Sequence, residues 1–251
     1  MIKQLVSFYK RRIFIPINKN GLVLDVGSGD KPHWRSDVLL DKYIDDEYGS
    51  QRSGSKKTII TRPIFNADAG NMPFGDKVFD FVICSHLLEH VVGPSKVIEE
   101  IMRVGKAGYI ELPYEGSQKI SDFPTHLWYC RKDGEKLIFT AKQNIYFDKE
   151  IDKFIKSIKT KWEFDKCIIS IYWHDIINYQ VIGEPNLKIL SEGKTINYKN
   201  IIFLMRNLLN FLFSAFLFYK KRKDKIMIND ILKPSLYLAD NKVLERKIYN
   251  F

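Results

Sequence analysis

In the run LVLDVGSG, Leu22 to Gly29, an apolar stretch ends in an acid, Asp25, and turns through Gly27, Ser28 and Gly29. Small residues at such a turn let the backbone approach a ligand closely at the carboxyl edge of a sheet, where open α/β folds bind their ligands. A dinucleotide loop would carry a third glycine and lay pyrophosphate on a helix N-terminus; here Asp30, Lys31 and Pro32 follow instead. The Asp25 carboxylate, two places before the first glycine, would repel a diphosphate and suits a cationic ligand better. Taken alone, the motif also fits an ordinary strand-to-helix turn.

Two further acids close apolar runs. Asp41, in VLLDKY, stands where a strand-tip carboxylate can accept both hydrogen bonds from a ribose diol, although an exposed turn acid gives the same pattern. Asp68, in FNADAGNMPF, could read an adenine amino group with the adjacent backbone, and a helix N-cap is its alternative. The blocks LDVGSG, the acid of LLDKY, NADAGNMPFGDKVFDFVICSHLLEHV and IMRVGKAGYIELP follow one another in an order that resembles the motif series of class I adenosylmethionine-dependent methyltransferases. The resemblance looks closest to the small-molecule enzymes of the quinone-biosynthesis type. It covers roughly Gly21 to Leu112, with weaker similarity to about Lys142. It implies S-adenosylmethionine as cofactor, with Asp25, Gly27, Ser28 and Gly29 around its methionine end and Asp41 on the ribose. It also implies Asp68 and Ala69 flanking the adenine, with Ser85 and His86 beneath the cofactor. One departure stands out: few residues, Pro32 among them, separate Gly29 from Asp41, so the first helix must be short.

Methyl transfer from a sulfonium is an in-line displacement in which the protein mainly aligns donor and acceptor and excludes water. A hydroxyl acceptor benefits from a general base, and histidine suits that role near neutral pH. Of His33, His86, His90, His126 and His174, the first choice is His126, in the long aromatic segment ELPYEGSQKISDFPTHLWYC that follows the fifth expected strand. His90, in LLEHV, is a second candidate for which a structural helix residue is the stronger reading. Glu111 and Tyr114 could instead position the acceptor, and an internal ion pair would explain Glu111 equally well. Cys84, Cys130 and Cys167 are odd in number and lack any C-x-x-C, so neither a disulfide framework nor a metal site is expected, and a reducing cytosol fits.

These residues need a scaffold of alternating strands and helices. Strands are expected at Leu22–Val26, Asp37–Leu40, Ile64–Ala67, Val78–Cys84 and Tyr109–Leu112. PSKVIEEIMRVGKAG places Val97, Ile98, Ile101 and Val104 at helical spacing between Pro94 and Gly105, which makes a crossover helix. A second amphipathic helix is expected over Asp148–Ile158. The fold class is therefore α/β, a Rossmann-like, mostly parallel sheet. The resemblance adds an antiparallel edge strand, and a C-terminal helical extension completes the expectation. Residues 1–175 would form the methyltransferase domain with a basic, aromatic N-terminal segment, and 176–251 the extension.

In that extension, Ile201 to Tyr219 is the most apolar run of the chain, and the basic cluster 220–225 follows it. On a helix, Arg206, Asn210 and Ser214 fall on one stripe, which suits lying in a membrane interface against anionic head groups. A helix buried against the sheet or a partner subunit fits equally. The net charge of +10 permits an anionic partner without selecting one. Scattered lysines and the lack of a recognised RNA-binding motif argue against nucleic acid. No secretory signal is evident at the N-terminus, so the expected location is cytoplasmic, with peripheral attachment at the inner membrane face. The expected function is methyl transfer to a small-molecule, sugar or lipid-linked acceptor, with O-methylation favoured. A non-catalytic scaffold that retains the cofactor fold is the rival reading.

Overall fold

The computed structural model describes residues 13–33, 35–44, 58–120, 123, 125–144, 167–189 and 225–251. Its main sheet is built from β1 (Val23–Val26), β2 (Val38–Asp41), β3 (Ile64–Asn66), β4 (Phe81–Ser85), β5 (Ala107–Pro113), β8 (Ile168–His174) and β10 (Ile248–Asn250). Between β5 and β10 in the chain come β6 (Trp128–Asp133), β7 (Lys136–Ala141) and β9 (Asn178–Ile182), which form a second, three-stranded sheet. The order in the main sheet is β10-β3-β2-β1-β4-β5-β8. All neighbours are parallel except β8, which runs antiparallel to β5. This is the expected mostly parallel Rossmann-like sheet with an antiparallel edge. The five strands read from sequence all exist, each shifted by a few residues at its ends.

Parallel strands are covered on both faces, and β1 is accordingly buried along its whole length. On one face Leu24, Val26, Val38, Leu40, Val82, Cys84 and Ile110 pack with α1 (Pro94–Val104) through Val97, Ile98, Ile101 and Val104. Pro94 opens α1, where a missing N–H costs nothing, and the Gly105 N–H closes it on the Ile101 carbonyl. Gly105 also has to be small, because a Cβ there would meet Val82 Cγ2 at 2.5 Å. On the other face Val23, Phe81, Ile83 and Tyr109 pack with Ile13, Ile15 and Ile17 of the segment that precedes β1.

Between β1 and β2 the described residues contain no helix, short or otherwise. A polar clamp holds this connection instead. The Arg35 guanidinium donates to Asp37 at 2.9 Å and to the carbonyls of Asn18, Lys19 and Gly21. The helix expected over 148–158, the apolar run 201–219 and residues 220–224 lie outside the described residues. Beyond residue 175, β9 pairs with β7 and β10 with β3, while Ile228, Ile231 and Leu232 join the main core. No helix among the described residues is long and apolar enough to cross a membrane.

Candidate functional site

Parallel pairing brings the ends of β1, β2, β4 and β5 to one edge: Val26 faces Leu40 and Cys84, and Ser85 faces Glu111. The chain leaves β1 there through Gly27 and Gly29, both in the left-handed region at φ 68° and 49°. That conformation is cheap only for glycine. A Cβ on Gly29 would sit in ordinary contact with the Gly27 carbonyl at 3.9 Å and Asp41 Oδ2 at 4.0 Å, while one on Gly27 would meet the Leu87 side chain at 3.0 Å. The loop is pinned by Gly27 N–H to the Leu40 carbonyl at 2.8 Å. Its Ser28 hydroxyl is buried with no hydrogen-bond partner among the described residues.

The three acids sit where the sequence placed them, each engaged by backbone. Asp25 is wholly buried and accepts the His33 N–H at 2.6 Å. Asp41 accepts from Gly29 N–H and Tyr43 N–H, both at 2.9 Å, and so ties the glycine turn to the tip of β2. Asp68 accepts from Gly70 N–H at 2.7 Å and from Lys42 Nζ at 2.7 Å, and it caps a turn rather than a helix. Burial alone would raise its pKa, but the Lys42 hydrogen bond, with Gly70, draws it below the ordinary carboxylate value. Ala69 beside it is buried.

On the other side of Gly27 the residues after β4 form a second cluster. His86 has φ 55°, unusual for a side-chain-bearing residue, and its ring is held between two carboxylates. Its Nδ1 lies 3.2 Å from Glu89 Oε1 and its Nε2 3.2 Å from Glu111 Oε1. Burial by itself would lower the pKa of this ring, yet its hydrogen bonds to Glu111 and Glu89 lift it to about 9. His86 is therefore an imidazolium at neutral pH. Glu111 also accepts from Ser85 Oγ at 2.9 Å and Tyr109 OH at 2.7 Å, so the ion pair weighed for it from sequence is present. Tyr114 is exposed and its backbone carbonyl accepts from Ser117 Oγ.

His90 and His126 meet above Glu89, with ring centroids 4.7 Å apart in an edge-to-face arrangement. Three backbone-linked contacts bring their segments together. Leu127 N–H donates to the Glu89 carbonyl at 2.7 Å, Trp128 Nε1–H to the Val91 carbonyl, and His90 Nδ1 lies 3.1 Å from the Thr125 carbonyl. The Thr125 hydroxyl lies 3.2 Å from the same Nδ1, so this nitrogen meets an acceptor and a possible donor on one residue. The His126 tautomer is fixed by a neighbouring amide. Gln118, on the short helix α2 (Glu115–Ile120), has its amide fixed by Cys130 N–H donating to Oε1 and by Nε2 donating to the Trp128 carbonyl. The same Nε2 faces His126 Nδ1 at 3.0 Å, so that nitrogen accepts and the His126 proton sits on Nε2. Burial holds both rings below the ordinary histidine pKa, His126 most, with the nearby Lys142 adding to the effect. Both rings keep some accessible surface, as groups lining a recess do.

Glu89, Gln118 and Lys142 were not singled out from sequence. For Glu89 the signal in the sequence was its place directly before His90 in LLEHV; its complete burial emerges only from the fold. Gln118 and Lys142 carried no such signal, since their roles depend on how the segment after β5 folds back.

A family model described as a methyltransferase domain matches residues 45–110, the stretch that contains β3, β4, α1 and the Ser85–His90 turn. No curated protein matches the chain. Among solved structures, the methyltransferase domain is similar to an S-adenosylmethionine-dependent methyltransferase of Thermotoga maritima at 15% identity and TM-score 0.32, covering 45% of this chain and 52% of that one. It is also similar to the YcgJ protein of Bacillus subtilis at 17% and 0.33, covering 50% and 61%. A third is an S-adenosylmethionine-dependent methyltransferase of Methanosarcina mazei at 17% and 0.31, covering 57% and 83%. These likenesses are distant, and the chain spans about half the length of the Thermotoga protein.

Proposed function

We propose that the chain transfers a methyl group from S-adenosylmethionine to a hydroxyl of a small acceptor, which is either free, part of a sugar or linked to a lipid. The observation that carries this reading is the contact of Leu87 with Gly27: it sets the cofactor turn directly against the His86–His90 segment, so donor and acceptor machinery share one edge. The buried Ser28 hydroxyl, without a partner among the described residues, suits a bound group, and in this reading Asp25, Asp41, Asp68 and Ala69 would hold its ammonium, ribose and adenine. When bound, S-adenosylmethionine supplies a methyl on a sulfonium, whose departure leaves a neutral sulfur. An acceptor hydroxyl held at this edge would take that methyl in exchange for its proton, which would pass to a base of this chain. His90 takes that role in preference to His126, because the His126 Nδ1 lone pair is already engaged by the Gln118 amide and its Nε2 carries the proton. Glu111 acts through His86 as a positioning residue.

Calorimetric titration with S-adenosylmethionine and S-adenosylhomocysteine tests the reading. Micromolar binding that is weakened by Asp25→Asn is expected, and absence of binding would leave the fold as a scaffold only. Docking on an anionic membrane through 201–225 fits the basic cluster, and it predicts co-sedimentation with phosphatidylglycerol vesicles that is lost when those residues are removed.

A further inference from the structure

Ile228, Ile231 and Leu232 turn inward and join the main core, while a few residues later Leu236, Tyr237 and Leu238 stay 37%, 54% and 44% exposed. The outward set is held in place. Pro234–Leu236 forms a single 3-10 turn, closed by Leu236 N–H on the Lys233 carbonyl at 2.8 Å and by Tyr237 N–H on the Pro234 carbonyl. Asn229 then grips Leu238 twice: its Nδ2–H donates to the Leu238 carbonyl and its Oδ1 accepts the Leu238 N–H, both at 2.9 Å. Asn241 Oδ1 accepts the Asn229 N–H at 3.1 Å and braces the grip from the other end of the loop. Scattered exposed leucines are ordinary, but three consecutive large apolar residues fixed outward form a patch, and such patches mark contact surfaces.

The surroundings favour lipid as the occupant. On consecutive positions of one tight turn these side chains make a finger rather than a groove, and a fluid bilayer accepts a finger without a matching pocket. Tyrosine joins an apolar ring to a hydroxyl, the combination that settles at a membrane–water boundary. The acids nearby each face a lysine, Asp240 on Lys242 at 2.6 Å and Glu245 on Lys247 at 3.3 Å, so they present little net negative charge. Lys225, which is exposed, ends the basic run KKRKDK and leads into the same loop, two residues before Met227 bridges Val243. Such a run attracts anionic head groups. The loop is also tied to the chain that follows Asp68. Lys233 donates from its N–H to the Pro73 carbonyl at 2.9 Å and from Nζ to Asn71 Oδ1 at 3.3 Å, and Asn71 N–H donates to the Asp68 carbonyl at 3.0 Å.

Resting on the membrane-docking part of the reading above, we propose that Leu236, Tyr237 and Leu238 enter the interface of an anionic bilayer while the basic run beside them lies over the head groups. The two contributions differ in kind. The basic run supplies an attraction that salt screens, and the finger supplies apolar burial that salt leaves in place. A finger fixed to the chain after Asp68 also orients the docked protein, which a basic run alone does not.

Full-length protein on vesicles of equimolar phosphatidylglycerol and phosphatidylcholine tests this. In Tyr237→Trp, the emission added over the wild type is expected to move to shorter wavelength on the vesicles and to be quenched by brominated lipid. Leu236→Ser combined with Leu238→Ser is expected to raise the lipid concentration for half-maximal co-sedimentation by about tenfold. Its thermal midpoint is expected to stay unchanged, since both side chains are already partly exposed. Wild-type protein that stays in the supernatant overturns the docking reading and this proposal together. Wild-type binding with an unshifted Tyr237→Trp emission, or with the same midpoint for the double variant, overturns this proposal alone and leaves 201–225 as the contact. A wild-type dimer in sedimentation velocity that the double substitution abolishes assigns the patch to a second copy of the chain and overturns it too. Should the double variant lose its fold, the Tyr237→Trp emission decides.

Discussion

A proton on the other nitrogen would turn the His126 ring from a donor into an acceptor, and the anchored amide of Gln118 is what prevents it. Gln118→Glu would supply an acceptor in place of that N–H, move the proton to Nδ1 and free the Nε2 lone pair. This variant should lose about 1–3 kcal/mol of stability, since the Trp128 carbonyl loses its donor. It should also gain affinity for Co2+ by about tenfold or more, seen as visible absorption bands absent from the wild type. The three histidines of the site also set a pH profile. His86 has its pKa raised to about 9, so its contribution is complete below about pH 6.5 and is lost as the pH climbs toward 9. His90 and His126 are held neutral, with lowered pKa values, so they penalise the folded state as the pH falls below about 6.5. Together they place a stability maximum near neutrality. Urea unfolding across pH should show it, and His86→Gln should flatten the alkaline limb alone. Gly27→Ala adds left-handed strain and drives a methyl against Leu87, so it should weaken S-adenosylmethionine binding by at least about tenfold, or about 1.4 kcal/mol, in calorimetry.

At the scale of elements, the crossover helix shows how local pattern and tertiary anchoring combine. Its apolar face was readable from spacing alone, but its tether was not. Arg103, in the last turn of α1, donates to Glu100 and Asp76 and to the Phe74 and Met72 carbonyls, which binds the helix to the loop between β3 and β4. Arg103→Ala would leave two carbonyls without this donor and would leave the partly buried Glu100 with the Met72 N–H as its hydrogen-bond donor. A loss of about 2–3 kcal/mol, measured by denaturant midpoint at unchanged slope, is expected. The β6–β7 hairpin did have a sequence signal, Asp133-Gly134 between apolar runs, with Gly134 at φ 55°. The strand β8 also alternates buried and exposed residues in a readable way. By contrast, β10 has only three residues, and its pairing with β3 depends on tertiary context that no short pattern conveys. The site divides likewise. Asp25, Asp41 and the glycines follow from strand ends and turn chemistry, whereas the meeting of His86 with Glu111 depends on the register that sets Ser85 beside Glu111.

At the scale of the whole molecule, both edges of the main sheet are supplied by late parts of the chain, β8 antiparallel on β5 and β10 parallel on β3. Tyr249 and Phe251 stack on Phe65, with centroids 5.1 and 5.5 Å away, so this edge is fastened by aromatic contact as well as by hydrogen bonds. Removing residues 246–251 should lower the thermal midpoint and raise light scattering, because β3 becomes an uncovered edge. Unchanged scattering would show that the edge is protected in another way. The same pairing has a kinetic meaning. Strand β3 leaves the ribosome long before its neighbour β10 exists, so during synthesis it spends that interval with one row of backbone groups unmatched. Slower translation of the intervening segment would lengthen that exposure, which makes the yield of folded protein sensitive to elongation rate and to chaperone supply in a way that its final stability does not reveal.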